Sequence, residues 1–403
     1  QLNFEEQDLK NKSNLQYCYV YDNVTLIDLD MRNINLFTFI DSIDDLAYLN
    51  KELSHSSYIG VDTEADSRHH YPEKVCLLQL SNGDDTYLID TLAELDYSVL
   101  NPLFSSRPIQ KILHGADFDI RGLNRDFGNE FFNCFDTSIA ARFANHEKFG
   151  LAALLENILN VSIPKDERLQ KADWSRRPLK TEALEYAASD VIFLPELRDQ
   201  LHENLTMLGR INWVIEECER VAAVQYIERD KGTAFLSVKG THDLDGRGLA
   251  VLKELYEFRE SQAIKLNRPP GFILPSEVLA YISANPEKDI ADTPGLGRTN
   301  LKRLGKQLRE VVWNGLQAEP LTRPRPKIAP LPRPTKAQSL RLNALKKFRE
   351  DILDACVKSF SNRVIDNYFI RPDKNLFESI PAESIDYAVM ERCKDSQVNL
   401  KIL

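Results

Sequence analysis

No apolar run in this 403-residue chain approaches the roughly 20 residues that a bilayer-spanning helix needs, so a helical membrane protein is excluded. The first residues, Gln1-Leu2-Asn3-Phe4-Glu5-Glu6-Gln7, lack the basic-then-apolar pattern of a secretory signal. They also lack an initiating Met, as expected of a trimmed or processed chain. The six cysteines (Cys18, Cys76, Cys134, Cys218, Cys356 and Cys393) are scattered and form no C-x-x-C pair, which argues against a disulfide framework and a zinc ribbon. A reducing, cytoplasmic compartment is the simplest expectation. The seven His residues add no metal-ligand spacing to the cysteines.

Basic charge is also in deficit. Lys and Arg number 51 against 61 Asp and Glu, a net charge of −10, which by itself discourages a nucleic-acid partner. The distribution is uneven, however. From Glu319 to Arg349, nine Lys or Arg accompany a single acid, so the rest of the chain carries −18. An acidic body with one basic strap suits polyanion binding by the strap, and a solvated linker accounts for it equally well. Six prolines lie among the 16 residues from 319 to 334, which predicts an extended, semi-rigid linker.

What is present is a globular chain with 43% hydrophobic residues, enough for two to four domains. Tyr17–Tyr21 and Val24–Ile27 read as a hairpin in an N-terminal extension, residues 1–36. Ile40, Ile43, Leu46, Leu49 and Leu53 are spaced for a helix. Strands at 58–64, 75–80 and 86–90 follow, with connections short enough for an antiparallel meander. Then strands alternate with helices: Lys111–His114, a helix from Asp117 to Phe127, Phe135–Thr137 and another helix. This pattern adds parallel strands and predicts a mixed sheet of five or six strands with helices on its faces. Thr181 reads as the N-cap of a helix bearing Leu184, Ala187, Ala188, Val191 and Leu194, and Pro195 kinks it or opens another. A helix over Trp213–Arg229 reads as a connector. Residues 246–317 are helical with turns at Pro269-Pro270-Gly271 and Pro294-Gly295-Leu296-Gly297, and residues 339–403 are helical again. The two helical parts share Phe258-Arg259-Glu260 with Phe348-Arg349-Glu350. They also share Phe272-Ile273-Leu274-Pro275…Leu279 with Phe369-Ile370-Arg371-Pro372…Leu376, an order that points to a duplicated module.

The chemistry centres on Tyr58-Ile59-Gly60-Val61-Asp62-Thr63-Glu64. Strand alternation puts Asp62 and Glu64 on one face, about 7 Å apart along the strand, where like charges repel unless a cation lies between them. Asp119 sits early in a helix after a strand; Asp117, nearer the start, reads as a cap. In Tyr186-Ala187-Ala188-Ser189-Asp190, helical i, i+4 spacing sets a phenol beside a carboxylate. Four carboxylates from strand and helix can form an all-oxygen site for Mg²⁺ or Mn²⁺, and two such ions can clamp both oxygens of a phosphodiester displacement.

The ordered set Val61-Asp62-Thr63-Glu64, Leu113-His114-Gly115 with Asp119, and Tyr186-Ala187-Ala188-Ser189-Asp190-Val191 resembles the ribonuclease D family of DEDDy 3′→5′ exonucleases. Cys76-Leu77-Leu78-Gln79-Leu80 and Asp173-Trp174-Ser175-Arg176-Arg177-Pro178-Leu179 share in the resemblance. It implies a ribonuclease H-like α/β fold and hydrolysis at RNA 3′ ends to nucleoside 5′-monophosphates. It also implies roles: Asp62, Glu64 and Asp190 on a first divalent ion, Asp62 bridging to a second with Asp119 nearby, and Tyr186 orienting the attacking water. Gln79, His114 and Arg177 are candidate substrate contacts, against packing roles for each. Residues 246–317 resemble the helicase-and-RNase-D C-terminal (HRDC) domain through Phe272, Pro275, Leu279 and Gly295-Leu296-Gly297, and 339–403 resemble a second, divergent copy without that turn. The expected layout is an exonuclease domain at 37–205, a connector at 206–245, HRDC at 246–317, a Pro/Arg-rich linker at 318–338 and the second HRDC-like domain at 339–403. The expected partner of this monomer is RNA with a single-stranded 3′ end, such as a tRNA precursor. The rival readings are a DEDDy exonuclease acting on DNA and a non-catalytic RNA-binding scaffold with a relict site.

Overall fold

Short, alternating apolar segments assemble into one six-stranded sheet in the order β1-β4-β3-β2-β5-β6. The strands are β1 (Thr38–Ile40), β2 (Tyr58–Ala65), β3 (Val75–Ser81), β4 (Thr86–Asp90), β5 (Gln110–Leu113) and β6 (Cys134–Asp136). In this computed structural model the described residues are 37–163, 166–228 and 230–324, with isolated positions between 335 and 343. The hairpin expected at 17–27 and the second HRDC-like copy at 339–403 lie outside the described residues, as does most of the Pro/Arg-rich linker.

β2, β3 and β4 form the antiparallel meander, β1 adds parallel to β4, and β5 and β6 add parallel beyond β2. The helices of this part are α1 (Ile43–Leu53), α2 (Asn101–Ser105), α3 (Asp117–Phe127), α4 (Thr137–Phe143), α5 (Leu151–Leu154), α6 (Glu167–Gln170), α7 (Thr181–Ile192), α8 (Leu194–Met207) and α9 (Ile211–Ala222). Odd positions of β2, Ile59 and Val61, join a core with Leu46 and Leu49 of α1 and Ile120 and Leu123 of α3. The opposite face is covered by α7, whose Ala183, Ala187 and Ala188 pack with Leu77, Leu88 and Trp174. Small residues let that helix lie close on the strands. At Gly60 the approach is closest: a Cβ there would stand 3.0 Å from the Val191 carbonyl oxygen and 3.3 Å from Leu194 Cβ.

Several boundaries differ from the sequence expectation. Ile40 ends a strand, and α1 begins at Ile43 because Ser42 caps it, accepting from the Asp45 amide at 3.3 Å. Thr181 is the first residue of α7, and Lys180 holds the cap position without a side-chain bond. Pro195 opens α8, in the first turn where its missing N–H costs nothing. The connector helix ends at Ala222 rather than Arg229.

The second core belongs to α10 (Gly246–Leu266), α11 (Pro270–Ile273), α12 (Ser276–Ala284) and α13 (Gly297–Gln317). Gly295 and Gly297 take φ of +80° and +69°, which explains the glycines of that turn. This helical unit is fastened to the loop after β2. The Tyr71 amide donates to Asn267 Oδ1 at 3.1 Å, Asn267 Nδ2 donates to His70 Nδ1 at 2.9 Å, and the Tyr71 hydroxyl donates to Glu260. No helix among the described residues is long and apolar enough to cross a membrane.

Candidate active site

The site forms where β2 outruns its parallel neighbour. Pairing of β2 with β5 stops at Gly60 and Ile112, and β5 itself ends at Leu113. The chain then turns through Gly115, at φ +78°, into α3, so the first turn of that helix lies beside the unpaired end of β2. Asp136 holds this turn. Its carboxylate accepts from the amides of Gly115 (3.0 Å) and Ala116 (2.8 Å), and it also caps α4 through the amides of Ser138 and Ile139. The sequence showed Asp136 only as a strand residue; its sole signal was an acid directly before a helix.

From the other side α7 delivers Asp190. The structure brings Asp62, Glu64 and Asp190 together, with a carboxylate oxygen of each within 4.8 Å of the others. Asp119 stands beside them. It is buried, and its Oδ1 accepts a 2.5 Å hydrogen bond from the Thr63 hydroxyl. Tyr186 lies one helical turn before Asp190, and the Asp190 charge acts on its phenol. Its ring lies 6.3 Å from that of Trp174.

Burial raises the pKa of all four carboxyls, and repulsion from neighbouring carboxylates adds to it, which for Asp119 means Asp136. Asp62 is held well above the usual carboxylate range by burial, then by the charges of Asp119, Asp190 and Glu64. Burial and then Asp190 and Asp119 do the same to Glu64. Asp190 is pushed up to about 7 by burial, against the lowering effect of the nearby Tyr186 hydroxyl. Burial also takes Asp119 to about 7, opposed by the Thr63 hydroxyl. A half-buried cluster of acids that repel one another is ionised only if a cation compensates it. The donor set is all oxygen, which fits a hard divalent ion; the buried free thiols Cys76, Cys134 and Cys218 take no part. Burial pushes the Tyr186 phenol upward too, reinforced by Asp190 and Glu64, so it is protonated at neutral pH and its hydroxyl donates or accepts without acting as a base.

The three expected substrate contacts fare differently. Gln79 is directly opposite Asp62 in the β2–β3 register but is fully buried beneath α7, out of reach of a nucleotide, and neither amide atom has a hydrogen-bonding partner. Arg177 does not offer its guanidinium to a substrate. Nε and Nη2 grip Asp90 at 2.7 and 2.6 Å, Nη1 donates to the carbonyls of Trp174 and Arg176, and Nη2 also donates to that of Cys76. All five N–H groups are used in tying the segment before α7 to β3 and β4. His114 follows β5 and is half-buried, with Nδ1 2.9 Å from Thr137 Oγ1. That hydroxyl donates to the Leu113 carbonyl, so it accepts from His114 Nδ1–H and leaves Nε2 as an acceptor. Burial lowers the His114 pKa and favours this neutral form. Asp117, expected as a cap, is instead the first residue of α3, exposed and paired with Arg121 at 2.9 Å.

A ribonuclease H-like sheet with convergent acids, followed by a helical unit, defines a 3′→5′ exonuclease joined to an HRDC domain. The comparisons agree: residues 37–206 match the 3′–5′ exonuclease family model and residues 248–312 the HRDC domain. The chain is 32% identical over 285 residues to ribonuclease D of Zymomonas mobilis, covering 68% of this chain and 72% of that protein. It is 29% identical over 301 residues to the Saccharomyces cerevisiae exosome complex exonuclease RRP6 and spans 40% of its length. The crystal structure of Escherichia coli RNase D superposes with a TM-score of 0.67 at 23% identity over 89% of this chain and 99% of that one, a likeness of fold. The chain belongs to the ribonuclease D family, whose members are 3′→5′ exoribonucleases.

Proposed function

We propose that this protein is a divalent-metal-dependent exoribonuclease that shortens RNA from its 3′ end, releasing nucleoside 5′-monophosphates, with tRNA precursors and other structured RNAs as substrates. The observation that supports this most strongly is the convergence of Asp62, Glu64 and Asp190 within 4.8 Å, with Tyr186 one helical turn before Asp190. Asp62, Glu64 and Asp190 would hold one ion, and Asp62 and Asp119 would serve a second. Bound there, two ions would neutralise the acids and stabilise charge on the attacking and leaving oxygens of the phosphodiester.

The protein's own groups do the rest. The protonated Tyr186 hydroxyl, one turn from Asp190, orients the attacking water. Water oxygen forms a bond to the terminal phosphorus and gives up a proton to solvent, while the bond to the 3′ oxygen of the penultimate nucleotide breaks and that oxygen takes up a proton from solvent to leave as a 3′-hydroxyl. The acidic rim repels RNA until cations are bound, so affinity for the polyanion falls to surfaces elsewhere, the basic strap from Arg323 to Arg349 among them. The working layout is an exonuclease domain at 37–205, a connector at 206–245, HRDC at 246–317 and a second HRDC-like domain at 339–403, acting as a monomer. A time course on a 5′-labelled RNA with a 3′ overhang, run with Mn²⁺, Mg²⁺ or EDTA beside a matched DNA, tests the proposal. A ladder shortening from the 3′ end of the RNA, only with metal, is expected. RNA that is bound but never shortened would leave only a binding protein, and equal shortening of DNA would remove the RNA assignment.

A further inference from the structure

The middle residue of Asp62-Thr63-Glu64 is not a spacer. Strand alternation turns its side chain away from the face that carries the two acids. Along its β5 edge, β2 has no strand partner beyond Gly60, and the first turn of α3 comes to lie beside Thr63. Thr63 is buried, and its hydroxyl donates to Asp119 Oδ1 at 2.5 Å, the length of a hydroxyl–carboxylate bond strengthened by charge. No other side-chain hydrogen bond to Asp119 is seen among the described residues, although Asp119 is the one acid of the four outside the 4.8 Å group. Its carboxylate can rotate about its own side-chain bonds. The Thr63 bond restrains that rotation, and the lone pairs of the carboxylate that it leaves free are the ones Asp119 can offer a cation.

We infer that Thr63 is a positioning residue that presents Asp119 to the second divalent ion and so sets the affinity of that ion separately from the first. The inference rests on the two-ion reading above. Asp62, Glu64 and Asp190 need no help from Thr63, because β2 and α7 hold them directly.

Mn²⁺ titration followed by electron paramagnetic resonance counts bound ions without requiring turnover. The wild-type protein is expected to bind two ions. Thr63→Val keeps the side-chain shape and removes the hydroxyl. It is expected to bind the tighter ion unchanged and the weaker one about 10- to 100-fold less well, the worth of one hydrogen bond to a charged group. On labelled RNA, kcat should fall by a similar factor with KM within about twofold, since the lost contact acts in the chemical step. Thr63→Ser restores the hydroxyl and should restore both readouts, which a purely structural role for the methyl would not. Equal Mn²⁺ affinities in wild type and Thr63→Val, or a Ser variant as impaired as the Val variant, would overturn the inference while leaving the metal reading intact. Asp190→Asn separates the two: it should weaken the tighter ion. If it binds Mn²⁺ as the wild type does, or if the wild type binds one ion only, the two-ion reading falls and the role of Thr63 with it.

Discussion

A side chain at Gly60 tests whether the closeness of α7 to β2 is what assembles the site. Gly60 has ordinary strand geometry, so alanine or valine there meets no backbone penalty and the effect is steric. The first added carbon would lie 3.0 Å from the Val191 carbonyl oxygen and 3.3 Å from Leu194 Cβ. Normal contact is about 3.5 Å or more, so alanine requires a shift of a few tenths of an ångström, and the two further methyls of valine about 1 Å. Val191 directly follows Asp190, so the shift reaches the carboxylate, whose oxygen must stay within the 4.8 Å group of Asp62 and Glu64. Overpacking of this kind costs about 1–3 kcal/mol of stability, and a misplacement of about 1 Å costs about 100-fold in rate. Gly60→Val should therefore melt lower yet fold, and single-turnover hydrolysis should slow about 100-fold with RNA affinity unchanged. Gly60→Ala should fall between. A folded Gly60→Val protein with near-normal turnover would refute the argument that this contact places Asp190.

Other consequences follow from the electrostatics and from Arg177. Asp119 and Asp190 sit near 7 in the metal-free protein, against about 4 in an unfolded chain, so between these values the native state binds more protons and loses stability as pH rises. Metal-free protein should melt higher at pH 5 than at pH 8, and saturating Mg²⁺ should remove the difference, because the ion binds only the ionised acids; a metal-free melting curve insensitive to pH would contradict the raised values. Arg177→Ala breaks a half-buried ion pair with Asp90 and three carbonyl contacts, and should cost about 2–4 kcal/mol by denaturant unfolding while leaving KM for RNA within about twofold. A large KM effect without a stability change would return Arg177 to the substrate. Neutralising Arg325, Lys327 and Arg333 of the strap should raise KM and flatten its dependence on salt; an unchanged salt slope would make the strap a spacer.

The alternation around Asp62, the i, i+4 pairing of Tyr186 with Asp190 and the helix after His114 are local features, and local features are written in residue order. Periodicity was therefore enough for the sheet class and for the face that Asp62 and Glu64 share, whereas the list of acids rested on the resemblance to the ribonuclease D family. Helix ends were less legible. At Ser42 and Lys180 the boundary depends on which hydrogen bond closes the first turn, and Thr181 had the right residue type in the wrong position. Everything that depends on distance between segments belonged to the tertiary structure. Arg177 looks like a phosphate ligand until Asp90, 87 residues earlier, is seen to occupy it. Gln79 looks like a base contact until α7 is seen to cover it. Thr63 looks like filler until α3 brings Asp119 to its hydroxyl. A sequence names the groups that a chain can offer; burial and competing partners decide which of them remain free for a ligand, and both arise only when distant segments meet.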